Sequence, residues 1–171
     1  LGVDVTGVDV SSEMLDRASR HAREMGLSAT FVESAFQQMA LHVGTLFDGV
    51  FCLGNSLAHL LSFDDLHASI RGFASVLKPH GRLFLQTLNY ERIMAQRTRI
   101  QNIKEEGNSI FVRFYDFEPE LVRFNILKLD RGSGGFRHEL NAVQLRPVLQ
   151  AELRDLLGQV GFGEVTVYGN V

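Results

Sequence analysis

The chain is poor in the residues on which several function classes depend. It holds one cysteine, Cys52, in 171 residues. That excludes an intrachain disulfide and a cysteine-rich zinc site. No two Lys or Arg residues are adjacent, and the formal net charge is −3. Both features argue against a nucleic-acid-binding surface and against a polybasic membrane anchor. No apolar stretch approaches the ~18 residues that a membrane span needs. No secretory signal is visible, although the chain does not begin with Met. A cytoplasmic location is the expectation that follows. Linkers, internal repeats and low-complexity runs are also missing. The most glycine-rich stretch, Arg131-Gly-Ser-Gly-Gly135, is followed by no helical pattern. It reads as a hairpin tip rather than as a phosphate-binding loop.

What is present is ordinary for a globular protein. Hydrophobic residues make up 45% and charged residues 22%, and the length suffices for one domain with a sizeable core. Residues 3–10, VDVTGVDV, read as a buried strand. Ser11 and Ser12 cap a helix that carries Met14, Leu15, Ala18, Ala22 and Met25 on one side and stops at Gly26. Strands are predicted at 29–33 and 47–53. Asp64 and Asp65 open a helix with Leu66, Ile70, Phe73, Ala74 and Leu77 on its apolar face. Pro79 and Gly81 end it, and residues 82–88 read as the next strand. This alternation predicts a parallel sheet with helices on both faces.

After Tyr90 the rhythm changes. Residues 91–104 look helical or irregular. Three alternating segments follow, FVRFYDFEPE, LVRFNILKLD and FRHELNAVQLR, with turns at Pro119 and at 132–135. They predict three antiparallel strands. A helical pattern resumes through Leu149, Leu153, Leu156, Leu157 and Val160, stops at Gly161, and leads to a strand at 165–168.

Three places carry chemistry. Asp9 ends a strand just before a helix cap. There it serves either as an acceptor for the ribose hydroxyls of an adenosine or as an additional cap. In FDGVFCLGNSLAHL, residues 47–60, a strand ends in a tight turn at the carboxyl edge of the sheet, the edge at which open α/β folds bind ligands. Gly54 allows close backbone approach. Asn55 and His59 bring an amide and an imidazole, as ligand contacts or as turn and helix-end residues. In LKPHGRLFLQTLNYERI, residues 77–93, Asn89 and Tyr90 fall at the carboxyl end of a strand. They are either substrate contacts or a turn residue and a core tyrosine.

The order VTGVDVSSEML, FDGVFCLGNSLAHL, LKPHGRLFLQTLNY and ELRDLLGQVGF resembles class I S-adenosylmethionine-dependent methyltransferases. It is most similar to the glycine/sarcosine N-methyltransferase group, through Leu-Gly-Asn-Ser-x-Ala-His-Leu and the later Asn-Tyr. The resemblance implies a Rossmann-like α/β sheet in a single domain, 1–171, with the three-stranded insertion at 105–146. It implies S-adenosyl-L-methionine as cofactor and methyl transfer to a small molecule, with an amine nitrogen as acceptor. Asp9 would bind the ribose, and Val10 and Met14 would pack near the adenine. Phe36 would cover the adenine. Ala35 stands where the family usually has an Asp or Asn for the adenine amino group. Leu53 and Gly54 would present backbone to the cofactor. Asn55, His59, Asn89 and Tyr90 would face the acceptor, with His59 and Tyr90 as candidate catalytic groups. No metal is required, because the sulfonium already carries its leaving group. The oligomeric state stays open.

One family element is missing from the pattern. The glycine-rich turn that receives the methionine part of the cofactor has no match, since Gly2 and Gly7 do not fit it. The expectation is a fragment that lacks a first strand–loop–helix unit of roughly 30 or more residues, and a closing strand as well. The missing strand would lie between the strands at 3–10 and 47–53. Those two strands then either pair directly or stay apart. Two rival functions remain at this point. One is a catalytically inactive homologue acting as a binding module, favoured by Ala35. The other is a dinucleotide-dependent oxidoreductase, which would also use Asp9.

Overall fold

The computed structural model describes residues 2–169. The chain divides into two units, one of Leu1–Phe51 with His67–Phe84 and the other of Cys52–Leu66 with Leu85–Val171.

The first unit begins with β1 (Thr6–Asp9), α1 (Ser12–Glu24) and β2 (Thr30–Glu33). Ser11 caps α1 by accepting the Met14 N–H at 3.3 Å, and Glu13 in the first turn complements the helix dipole. β1 and β2 are parallel, in a register that runs from Thr6 opposite Thr30 to Asp9 opposite Glu33. The strand is shorter than the apolar run at 3–10 because its partner offers only four residues. A short turn at Phe36–Gln38 leads into α2 (Met39–His42) and then β3 (Phe47–Cys52). α3 (Phe63–Ser75) follows. Its Ile70 and Phe73 are buried, together with Met39, Val43 and Val76. The Phe36 ring packs on Phe73 with centroids 5.0 Å apart. Gly72 is the contact that permits this approach. A Cβ at that position would lie 2.0 Å from the Phe36 carbonyl oxygen.

The next strand differs from its sequence expectation. β4 spans Leu77–Leu85 rather than 82–88, and α3 stops at Ser75 instead of running to the Pro-Gly pair. The residue before a proline is pushed out of the helical region, so Lys78 is already extended. His80 then takes φ 64°, which suits the second central position of a turn opened by proline. The strand therefore runs through the Pro79–Gly81 segment rather than starting after it. β3 pairs with β4, while β1 and β2 form a separate pair. Among the described residues, β1 and β3 share no ladder.

The second unit contains α4 (Tyr90–Gln96), β5 (Ile100–Glu106), β6 (Ser109–Phe117), β7 (Val122–Gly132), β8 (Gly135–Leu145) and α5 (Gln150–Val160). The four strands form one antiparallel sheet in the order β5-β6-β7-β8. Sequence reasoning expects three strands from 105 onward. β5 is the addition, and all its residues are exposed. With neither face buried, its sequence IQNIKEE shows no clean alternation to read. The two turns fall where expected, the first closed by a 2.9 Å bond from the Glu118 N–H to the Leu121 carbonyl. α5 ends at Gly161 with φ 104°, the left-handed cap that glycine favours. The expected strand at 165–168 does not form. Those residues have no ladder partner among the described residues, and an apolar run becomes a strand only against a neighbour. The core of this unit gathers Ala58, Tyr90 and Leu145, with Ile93 and Phe124 packed against them.

Candidate active site

Each unit carries one cluster of the residues singled out from sequence. In the first unit, β1 delivers Asp9 to the carboxyl end of its strand. The Asp9 Oδ1 accepts the Ser11 N–H at 2.8 Å. No partner for Oδ2 occurs among the described residues. Val10 and Met14 flank it with large exposed apolar surface, 68% and 51% accessible. The parallel register brings the segment after β2 to the same place, and the Ser34 N–H donates to the Asp9 carbonyl at 3.0 Å. Ala35 and Phe36 follow directly. That segment is held by the Ser34 hydroxyl, which donates to the Ala35 carbonyl at 2.9 Å and lies 3.0 Å from His42 Nδ1. The parallel register thus sets the segment with Val10 beside the segment with Ala35 and Phe36 at one end of the strand pair, while the Phe36 ring itself packs on Phe73.

In the second unit, the turn after β3 is built on two successive left-handed residues, Gly54 (φ 71°) and Asn55 (φ 68°). Glycine adopts this conformation freely, and asparagine tolerates it better than most residues. Gln86 straps the turn. Its side-chain oxygen accepts the Gly54 N–H at 3.1 Å, and its backbone carbonyl accepts the Asn55 N–H at 3.2 Å. The Ser56 hydroxyl donates to the Leu53 carbonyl at 2.8 Å.

Asn55 spends its amide on the protein itself. Its Oδ1 accepts the Leu88 N–H at 3.1 Å, and its Nδ2 donates to the Tyr90 hydroxyl at 2.9 Å. Tyr90 is completely buried. Burial pushes its hydroxyl up to about 12, against the lowering effect of the Asn55 hydrogen bond. Asn89 caps α4 by accepting the Arg92 N–H at 2.9 Å.

A cavity of ≈ 510 Å³ opens in this unit, with Asn55, His59, Gln86 and Thr87 among its polar lining residues. Asn89 and Tyr90 do not line it. Asn89 is tied to a helix end and Tyr90 sits in the core behind Asn55. The other walls come from the antiparallel sheet, through Tyr115, Phe124, Ile126, Val143 and Leu145. Sequence reasoning missed these five, together with Gln86 and Thr87. The signal for the latter pair was available, since they sit at the carboxyl end of a predicted strand. The sheet residues gave none, because an apolar residue on an alternating strand looks the same whether it packs a core or lines a cavity.

With this geometry in hand, known proteins give the frame. Residues 1–81 match the family model described as a methyltransferase domain. The chain folds as class I S-adenosylmethionine-dependent methyltransferases do. It superposes on an S-adenosylmethionine-dependent methyltransferase from Clostridium acetobutylicum with a TM-score of 0.78, over 92% of this chain and 63% of that one, at 19% identity. The chain is 33% identical to the glycine/sarcosine N-methyltransferase of Aphanothece halophytica over 175 residues, which is 99% of this chain and 62% of that protein. It is also 37% identical to the ubiquinone biosynthesis O-methyltransferase of Xanthomonas axonopodis over 89 residues, 52% of this chain and 36% of that protein. The chain thus spans about three fifths of the length of the glycine/sarcosine relative. Among the described residues, no helix is long and apolar enough to cross a membrane.

The cofactor of this class is S-adenosyl-L-methionine, and the residues of the first unit fit its adenosine half. A half-buried carboxylate with one unpartnered oxygen suits the two ribose hydroxyls. Exposed Val10 and Met14 offer apolar surface for the flat base.

Proposed function

We propose that the protein transfers a methyl group from S-adenosylmethionine to a small molecule, with an amine nitrogen as acceptor. The observation that carries this reading is the cavity of ≈ 510 Å³ beside the Gly54–Asn55 turn, of ligand-binding size and with a few convergent polar groups. Asp9, Val10, Met14, Ala35, Phe36, Leu53 and Gly54 would hold the cofactor. Once bound, it supplies a methyl group activated by a positively charged sulfur.

The chain's own groups then have modest tasks. Transfer to a neutral amine needs an aligned nucleophile more than a strong base. Asn55, through the second amide N–H that its bond to Tyr90 leaves over, and His59 would orient the acceptor, and His59 is the lining group able to take up the proton that the product ammonium releases. Tyr90 and Asn89 act as positioning residues. Tyr90 fixes the Asn55 amide from behind, and Asn89 sets the start of the helix that carries Tyr90. A soluble cytoplasmic enzyme acting on small molecules, and not on nucleic acid, is part of the same proposal.

Calorimetric titration of the full-length protein with S-adenosylmethionine, S-adenosylhomocysteine and NAD tests the reading. The first two should bind and NAD should not. Asp9→Ala should weaken S-adenosylmethionine at least tenfold, since charge-assisted hydrogen bonds contribute about 1.5–3 kcal/mol, with the thermal midpoint retained. Unchanged affinity would return Asp9 to its capping role. Preference for NAD would support the oxidoreductase alternative. Cofactor binding without turnover of any amine would favour the binding module.

A further inference from the structure

The cavity's lining says what kind of acceptor it suits. Its floor is a cross-strand row in which Tyr115, Phe124 and Val143 stand opposite one another on β6, β7 and β8. Ile126 and Leu145 extend this floor two residues to either side on the same sheet face. Among the described residues, no Lys or Arg lines the cavity. Several arginines of this unit already hold a carboxylate. Arg146 is paired with Glu152, Arg99 with Asp116 at 2.8 Å, and Arg123 with Glu118 at 2.6 Å. A free amino acid such as glycine or sarcosine would bring a carboxylate onto an apolar floor with no cation to receive it, which is unfavourable. So small a molecule would also leave most of ≈ 510 Å³ unfilled.

Resting on the methyl-transfer reading above, we propose that the acceptor is an amine carried on an apolar body without a carboxylate. Its body would lie on the Tyr115–Phe124–Val143 row, with its nitrogen among Asn55, His59, Gln86 and Thr87. On this point the chain departs from the substrate named for its glycine/sarcosine relative.

Three probes separate the elements of the proposal. Phenethylamine has both the amine and the apolar body, phenylalanine adds a carboxylate, and ethylamine lacks the body. Binding of each to the full-length protein, saturated with S-adenosylhomocysteine, is measured by calorimetry. Phenethylamine should bind at least tenfold more tightly than either of the others. Ile126→Arg should weaken phenethylamine and narrow or reverse its advantage over phenylalanine. Ile126→Ala, which keeps the floor uncharged, should leave the order of the three unchanged and guards against misfolding of the arginine variant. Phenylalanine, glycine or sarcosine binding as tightly as phenethylamine would overturn the proposal, as would no binding of any probe. Failure of the methyl-transfer reading shows separately, as absence of S-adenosylmethionine binding in a titration without acceptor.

Discussion

Replacing Gly72 by alanine sets two known effects against each other. Alanine in a helix interior is favoured over glycine by about 0.5–1 kcal/mol, and Gly72 lies within α3. The added Cβ would, however, sit 2.0 Å from the Phe36 carbonyl oxygen and 3.0 Å from its carbon. Both atoms are backbone, so no rotamer change can relieve the clash. Overpacking costs about 1–3 kcal/mol, and a rigid obstacle points to the upper part of that range. The net expectation is a loss of about 1–2 kcal/mol.

Gly158 supplies the internal control. It is exposed in α5, and nothing lies within 4 Å of the Cβ it would gain. Gly158→Ala should therefore stabilise by about 0.5–1 kcal/mol. Urea denaturation of both variants at equal slope reads the difference directly. Because the clash displaces the segment that holds Ala35 and Phe36, Gly72→Ala should also weaken S-adenosylmethionine, while Gly158→Ala should not. If Gly72→Ala proves as stable as Gly158→Ala, the close approach of α3 to the Phe36 turn is refuted.

Other expectations are more local. The Tyr90 hydroxyl, raised by burial from 10 to about 12, stays protonated in the folded state where the unfolded chain ionises. Its contribution to stability is complete below about pH 10 and is lost as pH rises toward 12. Alkaline unfolding should therefore be blunted in Tyr90→Phe relative to its own neutral-pH stability; an identical pH profile for both proteins would contradict this. Burial likewise pushes the Cys52 thiol up to about 11, so a thiol reagent at pH 8 should label the folded protein far more slowly than the urea-unfolded one. Equal rates would mean that Cys52 is accessible. Ala35→Asp should tighten S-adenosylmethionine by about 0.5–1.5 kcal/mol through the adenine amino group. Weaker binding would mean that residue 35 does not face the base, or that burying the carboxylate costs more than the bond returns.

Much of the fold was legible because its signals are local. Ser11 and Glu13 announce α1, Gly161 ends α5, and Pro119 and the 132–135 glycines set the hairpin turns, each through the conformational limits of one or two residues. Long apolar runs such as 47–52 declare strands. Elements without such markers were misread. β5 carries a polar, wholly exposed sequence that only its hydrogen bonding to β6 makes a strand. Val165–Tyr168 has strand-like composition and no partner.

The same division holds at the candidate site. By itself the sequence determined the two motifs, Asp9 before a capped helix and Leu53-Gly54-Asn55 after a strand, because backbone conformation and family likeness are both written in consecutive residues. Only the tertiary structure decided what the side chains do. It turned Asn55 toward Leu88 and Tyr90, tied Asn89 to a helix end and sank Tyr90 into the core. It also lined the cavity with five residues of a sheet whose sequence shows only alternation. Which neighbour a polar group pairs with, and whether an apolar face meets core or cavity, depends on residues distant in the chain, and no local pattern encodes that.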